Sequence, residues 1–320
     1  MRVDRIMLGV LAIYLGLAGT AVAAEIFDVS SPATIGYSDT ATAVAGIPYS
    51  YAVATVRTGP TGDAQPWIQL FMDGTGQPAE PLGNGIDPGS RLLLAAGRSG
   101  FAAAWMSENL VHVRFLPTGD SSMTTVLPPG AALQDLAITR NREPRIHVLL
   151  QDGVTVSLDP RTQVQDTEHA LHGTTGLAVT AQGVIQVRQD RLSGLLGISA
   201  DLAGVRLDDD DGGTVFAAWL EPGPDADMAM AARWERSEGG RTVRPLSSIG
   251  AQAHGLVLGD PDGRLATWIE TGVETELRYL AMDDSLESVC EATLAGDPDE
   301  LPLAILGDLQ TGILFTTLTH

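Results

Sequence analysis

The sequence predicts an all-β protein, a β-propeller of about seven four-stranded blades, and three observations predict it. A strand-like stretch that ends in tryptophan followed closely by glutamate occurs three times, at Gly100–Glu108, Thr214–Glu221 and Gly263–Glu270. Four strand-like segments with tight turns between them surround the first copy. The complete copy spans about 40 to 50 residues, which is the length of one propeller blade, and the strand pattern recurs at steps of 32 to 49 residues along the chain.

The copy around Trp105 shows a complete blade. Its four segments alternate apolar and polar residues or are rich in small and β-branched residues, and they are Leu92–Ala95, the Trp105 stretch, Leu110–Phe115 and Met123–Leu127. Four consecutive antiparallel strands joined by tight turns are the unit from which a propeller is built. We therefore expect the tryptophan stretch to be the second strand of its blade.

Two alignments support the same number of copies. Aligning the tryptophan strands gives one anchor residue per copy, and these are Val56, Trp105, Leu149, Val187, Trp219, Trp268 and Thr316. The following strand carries an arginine–aromatic pair in three copies, at Arg114–Phe115, Arg233–Trp234 and Arg278–Tyr279, with Leu70–Phe71 in the first copy. Both patterns predict equivalent second and third strands in each blade.

The last copy stops after two strands, at His320. An open sheet edge is a liability unless another strand pairs with it. The segment from Glu25 to about residue 40 contains one or two short strand-like runs, Glu25–Val29 and Ala33–Tyr37. We expect these N-terminal strands to pair with the C-terminal strands and to complete blade seven, as in the ring closure of many β-propellers.

The N-terminus has the pattern of an export signal. Arg2 and Arg5 form a basic region, Ile6–Leu17 an apolar core, and small residues follow it at Ala21–Ala24. We predict a cleaved signal over residues 1–24, a single propeller domain over residues 25–320, and a periplasmic or secreted location. Cys290 is the only cysteine, so the exported chain has no internal disulfide, and no further segment is long and apolar enough for a membrane span.

Charge excludes some partners. The formal net charge is −21, and all 19 basic residues are arginines. Nucleic acids and anionic membrane surfaces require clustered positive charge, so neither is expected as a partner. We expect a monomer whose partner is a protein or a saccharide.

The repeats carry a resemblance over nearly all of the chain after residue 24. The small-residue strands ending in Trp219-Leu220-Glu221 and Trp268-Ile269-Glu270 resemble those of the broad class of bacterial exported propellers with Trp-x-Glu or Trp-x-Asp blades. The chain has neither the Gly-His to Trp-Asp signature of WD40 repeats nor the Ser-x-Asp-x-Gly-x-Thr-Trp box of sialidases. The resemblance implies a shape and no chemistry.

An acidic residue close to the end of the tryptophan strand is the most regular polar feature. It occurs in five copies, as Glu108, Asp152, Asp190, Glu221 and Glu270. Equivalent positions of a propeller meet on one face, so these carboxylates are predicted to form an acidic rim for Ca²⁺ or a cationic ligand. The alternative is that each acid accepts local backbone hydrogen bonds in its own turn, and we favour it because the acids lie on separate blades.

Two further groups are candidate metal ligands. Asp208, Asp209, Asp210 and Asp211 form an acidic run that is suitable for calcium, but Trp219 stands where the twelve-residue EF-hand loop requires glutamate, so a solvated turn is favoured. His169 and His172 lie close to Asp166 and Glu168, and these residue types suit zinc. Their surroundings indicate an irregular strand-to-loop segment rather than a helix, so we favour ordinary loop histidines.

These patterns lead to three hypotheses. The repeats are degenerate and their longest predicted loops are only Thr58–Pro66 and Pro222–Asp227, whereas enzymes on this fold usually carry long insertions over the active face. We therefore favour a non-enzymatic binding or scaffold module that acts through one acidic face, and neither the Gly-x-Ser-x-Gly elbow of serine hydrolases nor the Walker glycine loop is present. A hydrolase or lyase that acts on a saccharide at the central channel is the first alternative. A calcium-stabilised surface protein is the second, and calcium is the one cofactor considered.

Overall fold

The computed structural model describes residues 4–12, 28–29, 33–38, 42–47, 50–58, 62–72, 75–83, 85–117, 123–127, 132–139, 143–180, 183–188, 198, 202–207, 214–224, 226–235, 240–259, 265–283, 285–295, 300–308 and 312–319. The chain divides into two compact units. The first unit comprises residues 37–192 with 1–3, and the second comprises residues 4–36 and 193–320.

The first unit contains three blades and a two-stranded sheet. Blade 1 has the strand order β4 (Thr42–Ile47), β5 (Ser50–Thr58), β6 (Ala64–Met72) and β7 (Thr75–Gly76), with β8 (Glu80–Pro81) also paired to β6. Blade 2 consists of β9 (Leu93–Gly97), β10 (Gly100–Ser107), β11 (Leu110–Pro117) and β12 (Met123–Val126). Blade 3 consists of β13 (Leu133–Ile138), β14 (Ile146–Leu150), β15 (Val154–Leu158) and β16 (Gln165–His169). The two-stranded sheet pairs β17 (Gly176–Thr180) with β18 (Gly183–Val187).

The second unit contains two blades and a terminal sheet. Blade 4 consists of β19 (Leu202–Leu207), β20 (Thr214–Glu221), β21 (Met228–Glu235) and β22 (Arg241–Pro245). Blade 5 consists of β23 (Gln252–Leu258), β24 (Leu265–Thr271), β25 (Thr275–Met282) and β26 (Ser288–Ala295). The terminal sheet has the order β2 (Asp28–Val29), β1 (Asp4–Ala12), β28 (Gly312–Thr319) and β27 (Glu300–Asp308), with β3 (Ala33–Ser38) paired to β1.

This is an all-β, β-propeller fold. In each blade, antiparallel strands that are consecutive in sequence are also neighbours in space. Within the first unit, the first strands β4, β9 and β13 and strand β17 contact one another in succession, and β19, β23 and β27 do the same within the second unit. A succession of first strands in contact is the inner layer of propeller blades.

The second strand of each blade is buried on both faces. In β10 the residues from Gly100 to Trp105 are buried, and in β24 those from Leu265 to Glu270 are buried. A strand packed on both faces has a continuous apolar sequence instead of an alternating one, and small residues allow close approach. The third strand β11 alternates between buried and half-buried residues along most of its length.

Trp105 and Trp268 fill the spaces between neighbouring blades. Trp105 packs with Ala54 and Val56 of blade 1, and Trp268 packs with Phe216 and Ala218 of blade 4. Trp105 and Trp268 are both almost completely buried. The core is therefore continuous between neighbouring blades within a unit.

The predicted strand order is confirmed, but the predicted number of blades is wrong. The four strands expected around Trp105 are β9 to β12, and the seven anchor residues all lie on the second strand of their sheets, namely β5, β10, β14, β18, β20, β24 and β28. Five of these sheets are blades, rather than the seven expected. In the described residues the sheet at Val187 has two strands, and the sheet at Thr316 includes strands from the N-terminus.

The N- and C-terminal strands share one sheet, but the predicted pairing of the strands in residues 25–40 with the C-terminal strands is wrong. The strand beside β28 is β1, which pairs from Arg5 opposite Thr319 to Leu11 opposite Ile313. Strand β1 falls within the predicted signal peptide, while β2 and β3 from residues 28–38 pair with β1. The signal peptide and the single-domain boundary at residue 25 stay predictions.

Candidate functional site

The acids of the two Trp-x-Glu stretches bind the indole of their own tryptophan. Trp219 Nε1 donates to Glu221 Oε2 at 2.6 Å, and Trp268 Nε1 donates to Glu270 Oε2 at 3.1 Å. Side chains two residues apart on a strand lie on the same face, so this spacing brings the carboxylate to the indole. The motif therefore has a structural role in both blades of the second unit.

Glu270 is the most buried of the predicted site residues, with 5% of its surface exposed. Its carboxylate also accepts a hydrogen bond from the backbone N–H of Ser248 at 3.2 Å, and Arg278 Nη2 lies 3.5 Å from Oε1. Burial alone would raise its pKa, but the hydrogen bonds from Ser248 and Trp268 and the charge of Arg278 lower the pKa below the usual range. Glu270 is thus held as an ionised hydrogen-bond acceptor.

Arg278 joins three strands of blade 5. Besides Glu270 on β24, it contacts Glu276 Oε2 at 2.6 Å on its own strand, and Glu291 Oε1 at 3.4 Å on β26. Its Nη1 also donates to Thr293 Oγ1 at 2.8 Å. Three carboxylates contact one guanidinium, so the formal net charge of this group of four side chains is negative.

The first Trp-x-x-Glu copy has a different geometry. Glu108 comes three residues after Trp105 and lies in the β10–β11 turn with a φ of 53°. The carboxylate of Asp87 accepts the backbone N–H of Glu108 at 2.8 Å and that of Asn109 at 2.9 Å, so a different acid caps this turn. Within the part of the chain that the structure describes, Trp105 Nε1 has no hydrogen-bond partner.

Asp152 behaves as a turn-capping residue. It lies in the β14–β15 turn, it is exposed, and its Oδ1 accepts the N–H of Val154 at 3.1 Å. Asp190 lies outside the described residues. The five predicted acids therefore include two that bind an indole and two that lie on exposed turns. Their assembly into one acidic rim stays a prediction.

His169 ends strand β16, and His172 lies in the turn that follows, which agrees with the strand-to-loop interpretation. Both are exposed, and Asp166 of the same strand contacts Arg145 at 3.4 Å. No group of three or more His, Cys, Asp or Glu with a metal-binding arrangement occurs among the described residues. Asp208 to Asp211 lie outside those residues, so the structure does not bear on them.

A polar network on the inner strands of the first unit was not predicted. Arg91 Nη1 donates to the carbonyl oxygen of Gln134 at 2.7 Å, and Gln134 Nε2 donates to that of Thr175 at 3.1 Å. Asp135 Oδ2 accepts the N–H of Leu177 at 2.7 Å. These contacts join residues 41 to 43 positions apart, and no local sequence pattern marks such pairs.

No family model matches the chain, and no curated protein matches it. Among solved structures it is similar to the Kuenenia stuttgartiensis hydrazine synthase, with 11% identity, a TM-score of 0.46, and coverage of 70% of this chain and 72% of that one. It is also similar to the WD40 domain from Toxoplasma gondii coronin, with 10% identity, a TM-score of 0.48, and coverage of 87% and 80%. Neither similarity transfers an activity or a partner, because the identities and the TM-scores are low. Across the described residues, no helix has the length and hydropathy required to cross a membrane.

Proposed function

We propose that the protein is an exported, non-enzymatic binding or scaffold module that engages a cationic partner through an acidic face. The face is defined here by the turns that follow the second strands of blades 2 and 3, which carry Glu108 and Asp152. Both side chains are exposed and lie at the same end of neighbouring blades. The net charge of −21 supports a positively charged partner.

The observation that carries the proposal is that the acids of the repeats fall into two groups. One group accepts hydrogen bonds from tryptophans within the blades, and the other group is exposed on turns. Glu221 and Glu270 accept indole hydrogen bonds within the blade, and the pKa of Glu270 is lowered. A general acid at neutral pH requires a raised pKa, so Glu270 is unsuited to that role. The acids of the two turns are exposed to solvent, and exposed acids are suited to charge recognition.

A defined cationic probe tests the acidic face. Binding of fluorescein-labelled nona-arginine is measured by fluorescence anisotropy at low and at high salt. We expect the double variant Glu108→Gln/Asp152→Asn to weaken binding several-fold at low salt, and the difference to shrink at high salt because salt screens exposed charges.

The matched control is Asp166→Asn/Glu168→Gln, which removes the same charge from the exposed outer strand β16 of the same unit. It should bind nona-arginine as the unchanged protein does. Equal losses in both variants would refute a specific face. Release of reducing ends or of unsaturated sugars from soluble polysaccharides would instead favour the hydrolase or lyase.

A further inference from the structure

Strand β16 is an open edge of blade 3. It is the last strand of its sheet and, in the described part of the chain, it pairs with β15 alone. Its five residues, Gln165–His169, pair with β15 without a register shift and include no proline, and the last four are exposed. Proteins usually interrupt or cover such an edge with a proline, a bulge or another element, because its free backbone groups can bind a further strand.

Two hydrogen bonds, one at each end of β16, define the pattern of its ladder. The N–H of Asp159 donates to the carbonyl oxygen of Val164 at 3.0 Å, and the N–H of Ala170 donates to that of Gly153 at 2.7 Å. In an antiparallel pair of strands, positions that exchange such bonds alternate with positions that do not. Both bonds fit one alternation along the intervening pairs of β15 and β16, so the pattern is continuous through the strand.

This alternation leaves three residues of β16 with their backbone groups directed outward. Asp166 and Glu168 lie at the hydrogen-bonded positions and direct their N–H and C=O groups to β15. Gln165, Thr167 and His169 lie at the other positions, so their N–H and C=O groups point away from β15. Among the described residues, none of these outward groups has a backbone partner. The edge therefore offers a row of alternating donors and acceptors to another strand.

The side chains of β16 make this edge acidic. The exposed carboxylates of Asp166 and Glu168 lie on one face of the strand, because the two residues are two positions apart. If two copies of the chain paired antiparallel through β16, centred on Thr167, Asp166 of one copy would lie opposite Glu168 of the other. Like charges directly opposite each other destabilise strand pairing. The edge therefore disfavours a second copy of this chain and favours a basic strand.

An exposed aliphatic residue lies at each end of β16. Val164 comes directly before the strand and Leu171 comes two residues after it, with 55% and 64% of their surface exposed. The N–H of Leu171 donates to Gln186 Oε1 at 2.7 Å, and its carbonyl oxygen accepts the N–H of Thr174 at 3.0 Å. A partner strand that extends past β16 thus meets aliphatic surface, which favours aliphatic residues between its basic ones.

We propose that β16 binds an extended basic segment of a partner protein by strand addition, so that the segment becomes a fifth strand of blade 3. Main-chain hydrogen bonds to Gln165, Thr167 and His169 supply affinity, and basic side chains opposite Asp166 and Glu168 supply specificity. This inference goes beyond the proposed function, because it uses another surface and another kind of bond, and it does not depend on the acidic face.

The test uses the full chain and three fluorescein-labelled peptides, with binding measured by fluorescence anisotropy. The peptide (Val-Arg)4 combines positive charge with strand preference, (Pro-Arg)4 keeps the charge but lacks half of the N–H groups, and (Val-Glu)4 reverses the charge. We expect (Val-Arg)4 to bind roughly tenfold more tightly than either of the others. Equal binding of (Val-Arg)4 and (Pro-Arg)4 would mean that charge acts without strand pairing, and equal binding of (Val-Glu)4 would exclude a basic partner; either result overturns the inference.

Thr167→Pro tests the edge itself. It removes an outward N–H without removing a hydrogen bond to β15, and proline is accepted on edge strands where the N–H faces solvent. This variant should lose the preference for (Val-Arg)4 over (Pro-Arg)4. Thr167→Val is the matched control, which keeps the N–H and should keep the preference. If Thr167→Pro also keeps it, β16 is not the binding edge.

Hydrogen exchange on the unchanged protein gives a second measurement that does not depend on the folding of a variant. Saturating (Val-Arg)4 should slow the exchange of the outward amides of Gln165, Thr167 and His169. The amides of Asp166 and Glu168 already bond to β15, so their exchange should change less. Unchanged exchange at the three outward amides would contradict strand addition.

The proposed function is tested separately by nona-arginine. This peptide lacks the β-branched residues that favour strands, and Thr167→Pro changes no charge, so nona-arginine should bind that variant as it binds the unchanged protein. Its titration with the Glu108 and Asp152 variants decides the acidic face, whatever the result at β16.

Discussion

Replacing Glu270 should destabilise the second unit strongly. In Glu270→Ala, the indole N–H of Trp268 and the backbone N–H of Ser248 lose their acceptor. A hydrogen bond to a charged group contributes about 1.5 to 3 kcal/mol, and leaving one member of a buried ion pair alone costs about 3 to 5 kcal/mol. Arg278 would still contact Glu276 and Glu291 in the variant, so the cost of removing its partner Glu270 is smaller than for an isolated buried ion pair.

These contributions predict a loss of about 3 to 4 kcal/mol in the free energy of unfolding. With about 2 to 4 °C per kcal/mol for domains of 150 to 250 residues, the Tm should fall by roughly 10 °C. Circular dichroism during heating measures it, and Glu274→Ala in the exposed neighbouring turn is the control, with an expected change below about 0.5 kcal/mol. Equal Tm values for the two variants would refute a structural role for Glu270.

The same residue predicts a pH dependence. Glu270 has a lowered pKa in the folded protein, so its ionised form contributes stability above the pKa of glutamate in the unfolded chain, about 4.3. The stability difference between the unchanged protein and Glu270→Gln should be constant above about pH 5.5. It should fall as the pH drops through the lowered pKa, because protonation removes the charge in both states. A difference that grows in acid would contradict this assignment.

Three other predictions concern the blade pattern and the termini. Ser107→Glu places an acid two residues after Trp105, so it should give the unpaired indole an acceptor and raise the Tm by a few degrees, whereas Ser107→Gln should raise it less. Deleting Asp4–Ala12, the strand that pairs with β28, should abolish cooperative unfolding in denaturant if the N-terminal strands complete the terminal sheet, and a sharp transition would refute that closure. Calcium should leave the Tm unchanged relative to chelator, because Trp219 stands where an EF-hand loop that begins at Asp208 requires glutamate. A rise in Tm on adding calcium would contradict this prediction.

The strands near a tryptophan were predictable because their signals are local. Strands β9 to β12 were expected from alternation, small residues and turn residues, and they form one blade in that order. Strand β4, Thr42–Ile47, was not predicted, since its alanines and glycine have little strand preference. It forms because it pairs with β5 along its whole length, which is a tertiary effect.

The sequence did not predict which residues of the second and third strands lie opposite each other in each blade, because this register depends on bulges and turn lengths. The arginine–aromatic pairs lie on third strands, as expected, but Arg278 is opposite Trp268, whereas Arg233 is opposite Phe216 and Arg114 is opposite Ala103. Register shifts occur within blades 4 and 5. The role of Ser248 as a hydrogen-bond donor to Glu270 was also missed, since the two residues are 22 positions apart.

The two-residue spacing in Trp-x-Glu has a consequence for how such blades diversify. An acid two positions after the tryptophan accepts a hydrogen bond from the indole inside the blade, as in Glu270. An acid three positions after it is exposed to solvent, as in Glu108. One inserted uncharged residue is therefore enough to move a charge from the interior to the solvent without changing the net charge of the repeat. Repeats with the same overall charge can thus present different faces to a partner, and each copy can change independently of its neighbours.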